Sequence, residues 1–218
     1  MPEAVTFALV TFSAIFFVVD PFAVIPIFLA VTVNEDAARK RSTARRAAIV
    51  ATVTLLVFAI AGSLIFRVLG ITIGAFRIAG GILLFIMAIE MLRAQRSRTR
   101  TSPEEEREGV ERDDVAVIPL GIPMLAGPGS IATVMVLMND AQGSLLRMAI
   151  VIAAILLTGA LSHLVLRASS LVERTLRQTG LNIVTRVMGL ILAAIAVQFV
   201  VYGLRDVWPQ ISGAAGPG

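Results

Sequence analysis

Six apolar stretches, at 4–32, 46–66, 71–92, 115–138, 145–166 and 183–204, are each close to or above the length that crosses a bilayer. A hydrocarbon core about 30 Å thick takes roughly 20 residues of helix, and backbone polar groups inside it must be satisfied within the segment. The pattern predicts six transmembrane helices. With 57% hydrophobic residues and a mean hydropathy of +0.87, the 218 residues carry more apolar surface than a soluble domain of that length buries. The fold class expected is all-α, a polytopic membrane bundle forming one transmembrane domain over residues 1–218.

Charge gives the orientation. A pI near 10.9 in a soluble protein would point to nucleic acid, but here the arginines cluster between apolar stretches, so no nucleic-acid partner is expected. Fourteen loop Lys and Arg (Arg39 to Arg46, Arg93 to Arg112, Arg167 to Arg177) fall on one face, against Arg67, Arg147 and Arg205 on the other. By the positive-inside rule the first face is cytoplasmic and both termini lie outside. The first stretch carries Glu3 and no Lys or Arg ahead of it, so it is expected to stay as a span and not be cleaved as a signal peptide. Cysteine is absent, which excludes disulfides, thiolate metal sites and a cysteine nucleophile.

The halves share a plan. Residues 70–83, GITIGAFRIAGGIL, align with 180–192, GLNIVTRVMGLIL, once one residue is gapped, placing Arg77 with Arg186 and glycine with glycine. VVDPFAVIP at 18–26 matches LAGPGSIAT at 125–133 more weakly, with Asp20-Pro21 opposite Gly127-Pro128. An odd number of helices per copy makes the second copy enter from the opposite side, so the expected architecture is a 3+3 inverted repeat. Its parts are residues 1–93, a charged cytoplasmic loop at 94–114, and residues 115–218.

The first and fourth spans are interrupted. Asp20-Pro21 and Pro26 lie within one run of 29 residues, which would be about 43 Å long as unbroken helix, too long for a simple crossing. Proline also leaves carbonyls that hydrocarbon cannot satisfy, so such backbone survives only against protein or a wet cavity. The fourth stretch has Pro119, Pro123 and then Gly127-Pro128-Gly129-Ser130. A half-helix opening at Pro128 would present free N–H groups and a partial positive charge suited to a carboxylate. The plainer alternative for both is a packing kink.

Asp20 falls at mid-depth, where a carboxylate is costly unless paired or hydrated, and it could carry a proton, coordinate a cation, bind an ammonium group, or cap the half-helix that follows. Arg77 and Arg186 sit about two turns into spans that start on opposite faces; they either snorkel to the headgroups or serve as one cationic group per gate. His163, the only histidine, is expected to pack and hydrogen-bond to a neighbour, and Glu90 and Gln198 to make contacts inside the bundle. No HExxH, P-loop or GxSxG motif is present, so catalysis, metal ligation and cofactor binding have no support in sequence, and transport would draw on a gradient.

FFVVDPFAVIPIFLAVT at 16–32 and IPLGIPMLAGPGSIATVMVL at 118–137 resemble the signature regions of the MarC family of bacterial integral membrane proteins, and length, span count and the charged central loop agree over nearly the whole chain. The resemblance implies a bacterial cytoplasmic-membrane protein related to SnatA-type transporters of glycine and alanine. For a small zwitterionic substrate, Gly127, Pro128, Gly129 and Ser130 with Arg77 or Arg186 would meet the carboxylate. Asp20, shaped by Pro21 and Pro26, would meet the ammonium group or carry a coupling proton or sodium ion. The function expected is a secondary transporter of small neutral amino acids working by alternating access. An ion channel or exporter, an intramembrane enzyme and a non-transporting regulatory protein are the alternatives.

Overall fold

The structure, a computed structural model, describes residues 3–93 and 115–211; the charged loop expected at 94–114 lies outside them. Eight elements run in order: α1 (Glu3–Val19), α2 (Pro21–Val31), α3 (Ala37–Leu69), α4 (Ile73–Leu92), α5 (Ala116–Leu125), α6 (Pro128–Asp140), α7 (Leu145–Arg167) and α8 (Ser169–Ile211). Five spans are long and apolar enough to cross a membrane, α1 with α2 forming one of 29 residues. The pair α5 and α6 is bent by 58° at its break, as a broken span or a re-entrant loop would be, which makes five to six candidate spans. The chain is an integral membrane protein of helices.

Polar side chains start the long helices. Asp36, Thr72 and Ser144 stand at the N-caps of α3, α4 and α7, each accepting from the N–H three residues on. A capping oxygen satisfies a donor that the helix itself leaves free. Gly70, at φ 65°, ends α3 in the left-handed conformation that a side chain resists. The last span, Thr179–Trp208, starts beside Gly180, and α8 extends it backward as unbroken helix from Ser169. A continuous helix satisfies the backbone of this polar lead-in internally, and a single interior glycine costs only about 1 kcal/mol against that.

In lipid, close backbone approach replaces the drive to bury large side chains, so small residues turn inward. Helix α3 buries Ala44, Ala47, Ala51, Ala59 and Gly62 and turns Val53, Val57, Ile60 and Leu64 outward. The seam between α4 and α8 is tighter. A Cβ on Gly203 would stand 2.7 Å from the Gly74 carbonyl oxygen, and one on Gly189 would stand 2.8 Å from Met91 Cβ. The two helices therefore run antiparallel in near backbone contact.

Two apolar cores result. One joins Ile15 and Phe28 of the first span to Leu55, Leu120, Val134 and Ile155. The other joins Val18 and Val136 to Leu84 and Met87 of α4 and Leu192 and Phe199 of α8. Charge is segregated along the axis: Lys40 and Arg41 meet Arg167 around one cavity at the arginine-rich end. At the other end Arg147 pairs with Glu3, its guanidinium carbon 5.5 Å from the centre of the Phe7 ring.

Candidate functional site

The two interruptions share one register. Asp20 is the N-cap of α2 with Pro21 in the first helical position, and Gly127 is the N-cap of α6 with Pro128 in the first helical position. Proline fits there because that N–H has no partner in the helix anyway. The residues aligned across the halves thus hold the same place in their half-helices.

Asp20 is completely buried. Its N–H still donates to Phe16 O at 3.0 Å, completing α1, and then its own backbone turns left-handed, at φ 44° and ψ 71°. Its Oδ1 accepts from Ala23 N–H at 3.4 Å. Among non-glycine residues, Asp and Asn tolerate this conformation best, through their short side-chain hydrogen bonds. The cap role expected for Asp20 is present, and it fixes a carboxylate at the middle of a crossing segment. Pro26 lies inside α2, a turn beyond.

The second interruption is broader. Ile118 and Ile122, each preceding a proline, have extended backbone, the conformation that a following proline imposes. Hydrogen bonds in α5 reach five residues back, from Leu120 N–H to Val115 O and from Ala126 N–H to Gly121 O. The first ladder bond of α6 joins Ile131 N–H to Gly127 O at 3.0 Å, so the N–H groups of Gly129 and Ser130 precede the ladder. Ser130 is buried, and its hydroxyl reaches back across the break to donate to Leu125 O at 3.1 Å. Gly129 faces α4: a Cβ there would stand 2.8 Å from Met87 Sδ and 2.9 Å from Leu84 Cδ2. Its missing side chain lets the half-helix lie against α4.

A cavity of about 510 Å3 lies between α1, α4, α6 and α8. Arg77 and Asp140 form its polar wall, Gln198 and Tyr202 come from α8, and Phe17, three residues before Asp20, marks its reach along α1. Thr11 is fully buried on this lining, and its hydroxyl has no partner among the described residues. Arg77 pairs with Asp140 at the end of α6 and with Asp206 near the end of α8, while its Nε, also buried, has no partner among the described residues.

Of the residues singled out in sequence, Arg77 lines this cavity, whereas Asp20, Pro21, Pro26, Gly127, Pro128, Gly129, Ser130 and Arg186 do not. Arg186 is exposed and has no ion pair among the described residues, so the two aligned arginines differ in surroundings. His163 Nδ1 is buried with no partner among the described residues, in place of the neighbour expected for it. Gln198, expected to make a contact inside the bundle, is exposed and lines the cavity. Thr11, Asp140 and Asp206 were not legible as site residues: the two acids fall where spans meet loops, and a lone threonine in an apolar run carries no signal. Among the described residues, no group of three or more His, Asp and Glu could hold a metal ion.

Comparison with known proteins adds the lineage. Residues 5–208 match the profile of the MarC family integral membrane protein. The chain is 38% identical over 210 residues to the UPF0056 membrane protein YvbG of Bacillus subtilis, covering 95% of this chain and 98% of that one. It is 36% identical over 210 residues to the UPF0056 membrane protein MJ0972 of Methanocaldococcus jannaschii, covering 96% and 92%. To the UPF0056 membrane protein YhcE of Escherichia coli it is 32% identical over 200 residues, covering 92% and 93%. No solved structure matches the chain.

Proposed function

The chain belongs to the MarC family of integral membrane proteins, and from that premise we propose that it is a secondary transporter of small neutral amino acids such as glycine or alanine. The observation that carries this reading is the pair of crossing segments broken at their half-helix N-caps, with a fully buried carboxylate at one break. Membrane helices broken inside the protein line substrate and ion paths.

A zwitterion needs a cation and an anion to meet it. Arg77 supplies the first at the wall of the cavity, where a substrate carboxylate competes with Asp140 and Asp206 for the same guanidinium. Exchange of one carboxylate for another lets the substrate in without leaving a buried charge bare. Thr11 offers a further hydrogen bond on the way down. Beyond Phe17, Asp20 receives the ammonium group or a coupling proton, and the N–H groups of Gly129 and Ser130 receive the carboxylate.

Alternating access then exchanges the roles of the two halves. An inverted 3+3 repeat is supported by the matching caps at Asp20-Pro21 and Gly127-Pro128 and by the antiparallel run of α4 against α8. The arginine-rich end faces the cytoplasm of a prokaryotic inner membrane, with both termini outside. Catalysis is disfavoured because the Ser130 hydroxyl donates to a backbone carbonyl and not to a base.

Uptake of labelled glycine and alanine into proteoliposomes, with and without a pH or sodium gradient, tests the proposal. Saturable, gradient-dependent accumulation is expected. Flux equal to that of empty liposomes across a panel of small metabolites would overturn it, and non-saturating flux of cations would favour a channel.

A further inference from the structure

Two cavities meet on the outer surface of the α3 and α7 pair, away from the cavity that holds Arg77. One, of about 300 Å3, is lined by Arg41, Ser42, Arg45, His163 and Arg167 at the arginine-rich end. The other, also about 300 Å3, runs on along the membrane-spanning part between Ile49, Val53 and Leu56 on one side and Leu156 and Ala160 on the other. Arg45 and His163 line both. A basic pocket thus continues directly into an apolar groove.

The arginines of the pocket are little committed among the described residues. Arg45 and Arg167 have no carboxylate partner among the described residues, and Arg41 commits only its Nε, to Ala37 O at 3.0 Å. His163 Nδ1 is buried at the junction without a partner among the described residues. Three guanidinium groups within one pocket repel each other, so the arrangement calls for an anion with several acceptor oxygens. The groove calls for something different. Thr52 spends its hydroxyl on Ala48 O, and the remaining side chains along the groove are apolar. The flanking Ile49, Val53 and Leu156 are about half exposed, on a surface that faces hydrocarbon. At its deep end α3 and α7 close together: a Cβ on Gly159 would run into Thr52 Oγ1.

We propose that this seam binds one anionic phospholipid, its phosphate held by Arg41, Arg45 and Arg167 over His163 and one acyl chain laid in the groove down to Gly159. Basic pockets between transmembrane helices at the headgroup level are suited to such lipids. A free phosphate would satisfy the arginines and leave the groove without a tenant; a neutral lipid would do the reverse. The charge and the groove together select a lipid that has both an anionic head and a tail. The site is independent of the transport cavity and of any assignment made there.

The full-length protein, stripped of lipid in detergent, is titrated with phosphatidylglycerol, phosphatidylcholine, or inorganic phosphate, and binding is read by retained lipid in native mass spectrometry and by thermal unfolding. Phosphatidylglycerol is expected to bind and raise the unfolding temperature, and the other two to do neither. Arg45→Gln with Arg167→Gln should weaken phosphatidylglycerol binding about tenfold or more. Ala160→Phe, a change at an exposed position that fills the groove, should weaken it with both arginines intact. The charge-matched pair Arg39→Gln with Arg93→Gln, outside the pocket, should leave it unchanged; equal loss in that pair means general surface attraction and overturns the site. Equal binding of phosphatidylcholine overturns the headgroup assignment, and stabilisation by inorganic phosphate alone overturns the lipid assignment. Unchanged binding in both the arginine and the Ala160→Phe variants rejects the proposal outright.

Discussion

Arg77, half-buried one turn into α4, is paired with Asp140 at the far end of α6, 63 residues away in sequence, and with Asp206 of α8. One guanidinium thereby ties the second broken span to the α4 and α8 seam. Its two carboxylates are each about one-third exposed, while Arg77 itself is mostly covered. The pairing is therefore asymmetric: losing Arg77 strands two acids, whereas losing Asp140 leaves Arg77 with Asp206.

Arg77→Gln should consequently destabilise the protein more than Asp140→Asn. A double-mutant cycle on the two, read by thermal unfolding, should show coupling of about 0.5–3 kcal/mol. If the substrate carboxylate exchanges with Asp140, Arg77→Gln should also lower uptake at least about tenfold, equivalent to ~1.4 kcal/mol. Additive stability effects would show that the pair is not coupled.

Asp20 separates a structural role from a chemical one. Asparagine keeps the capping oxygen and tolerates the left-handed backbone, so Asp20→Asn should unfold within ~0.5 kcal/mol of the parent protein. Uptake should be abolished or should lose its gradient dependence. Asp20→Ala loses the cap as well and should cost a further ~1 kcal/mol in stability. Full coupled uptake in Asp20→Asn would remove the carboxylate from the mechanism.

The glycine contacts predict an order of damage. At Gly129 an added methyl meets the flexible Met87 side chain, which can give way, so Gly129→Ala should cost about 1–3 kcal/mol, partly restored by Met87→Ala. At Gly203 the methyl meets the Gly74 carbonyl, part of the backbone, and Ile78 Cγ1, both at 2.7 Å. Gly203→Ala should therefore be the more damaging, with no single side-chain change in α4 restoring it. Matched unfolding temperatures for the two would contradict the packing described.

Much of this architecture was legible beforehand, because lipid leaves a chain few options. The long apolar helices, the breaks at Asp20 and Gly127, and the shared Pro register follow from apolar run length and from proline chemistry. The partners of Arg77 do not follow. Sequence sets how deep a residue lies on its helix, but not which neighbour its face meets, and Asp140 and Asp206 belong to other helices. The same limit applies to Arg186, aligned with Arg77 yet turned outward. Nor does sequence show that Gly129 packs on Met87 or that the Ser130 hydroxyl reaches back to Leu125 O, since both partners lie outside α6. The helical lead-in from Ser169 to Gly180 is not legible in sequence because its polar composition also describes a loop.

The near backbone contact of α4 with α8 has a consequence for measuring motion in this molecule. Two rods that touch at Gly203 and Gly74 near one end and at Gly189 and Met91 near the other have no slack to slide or splay. Spectroscopic labels placed one on each should hold a constant separation through a working cycle. They give an internal ruler against which the displacement of every other helix can be read.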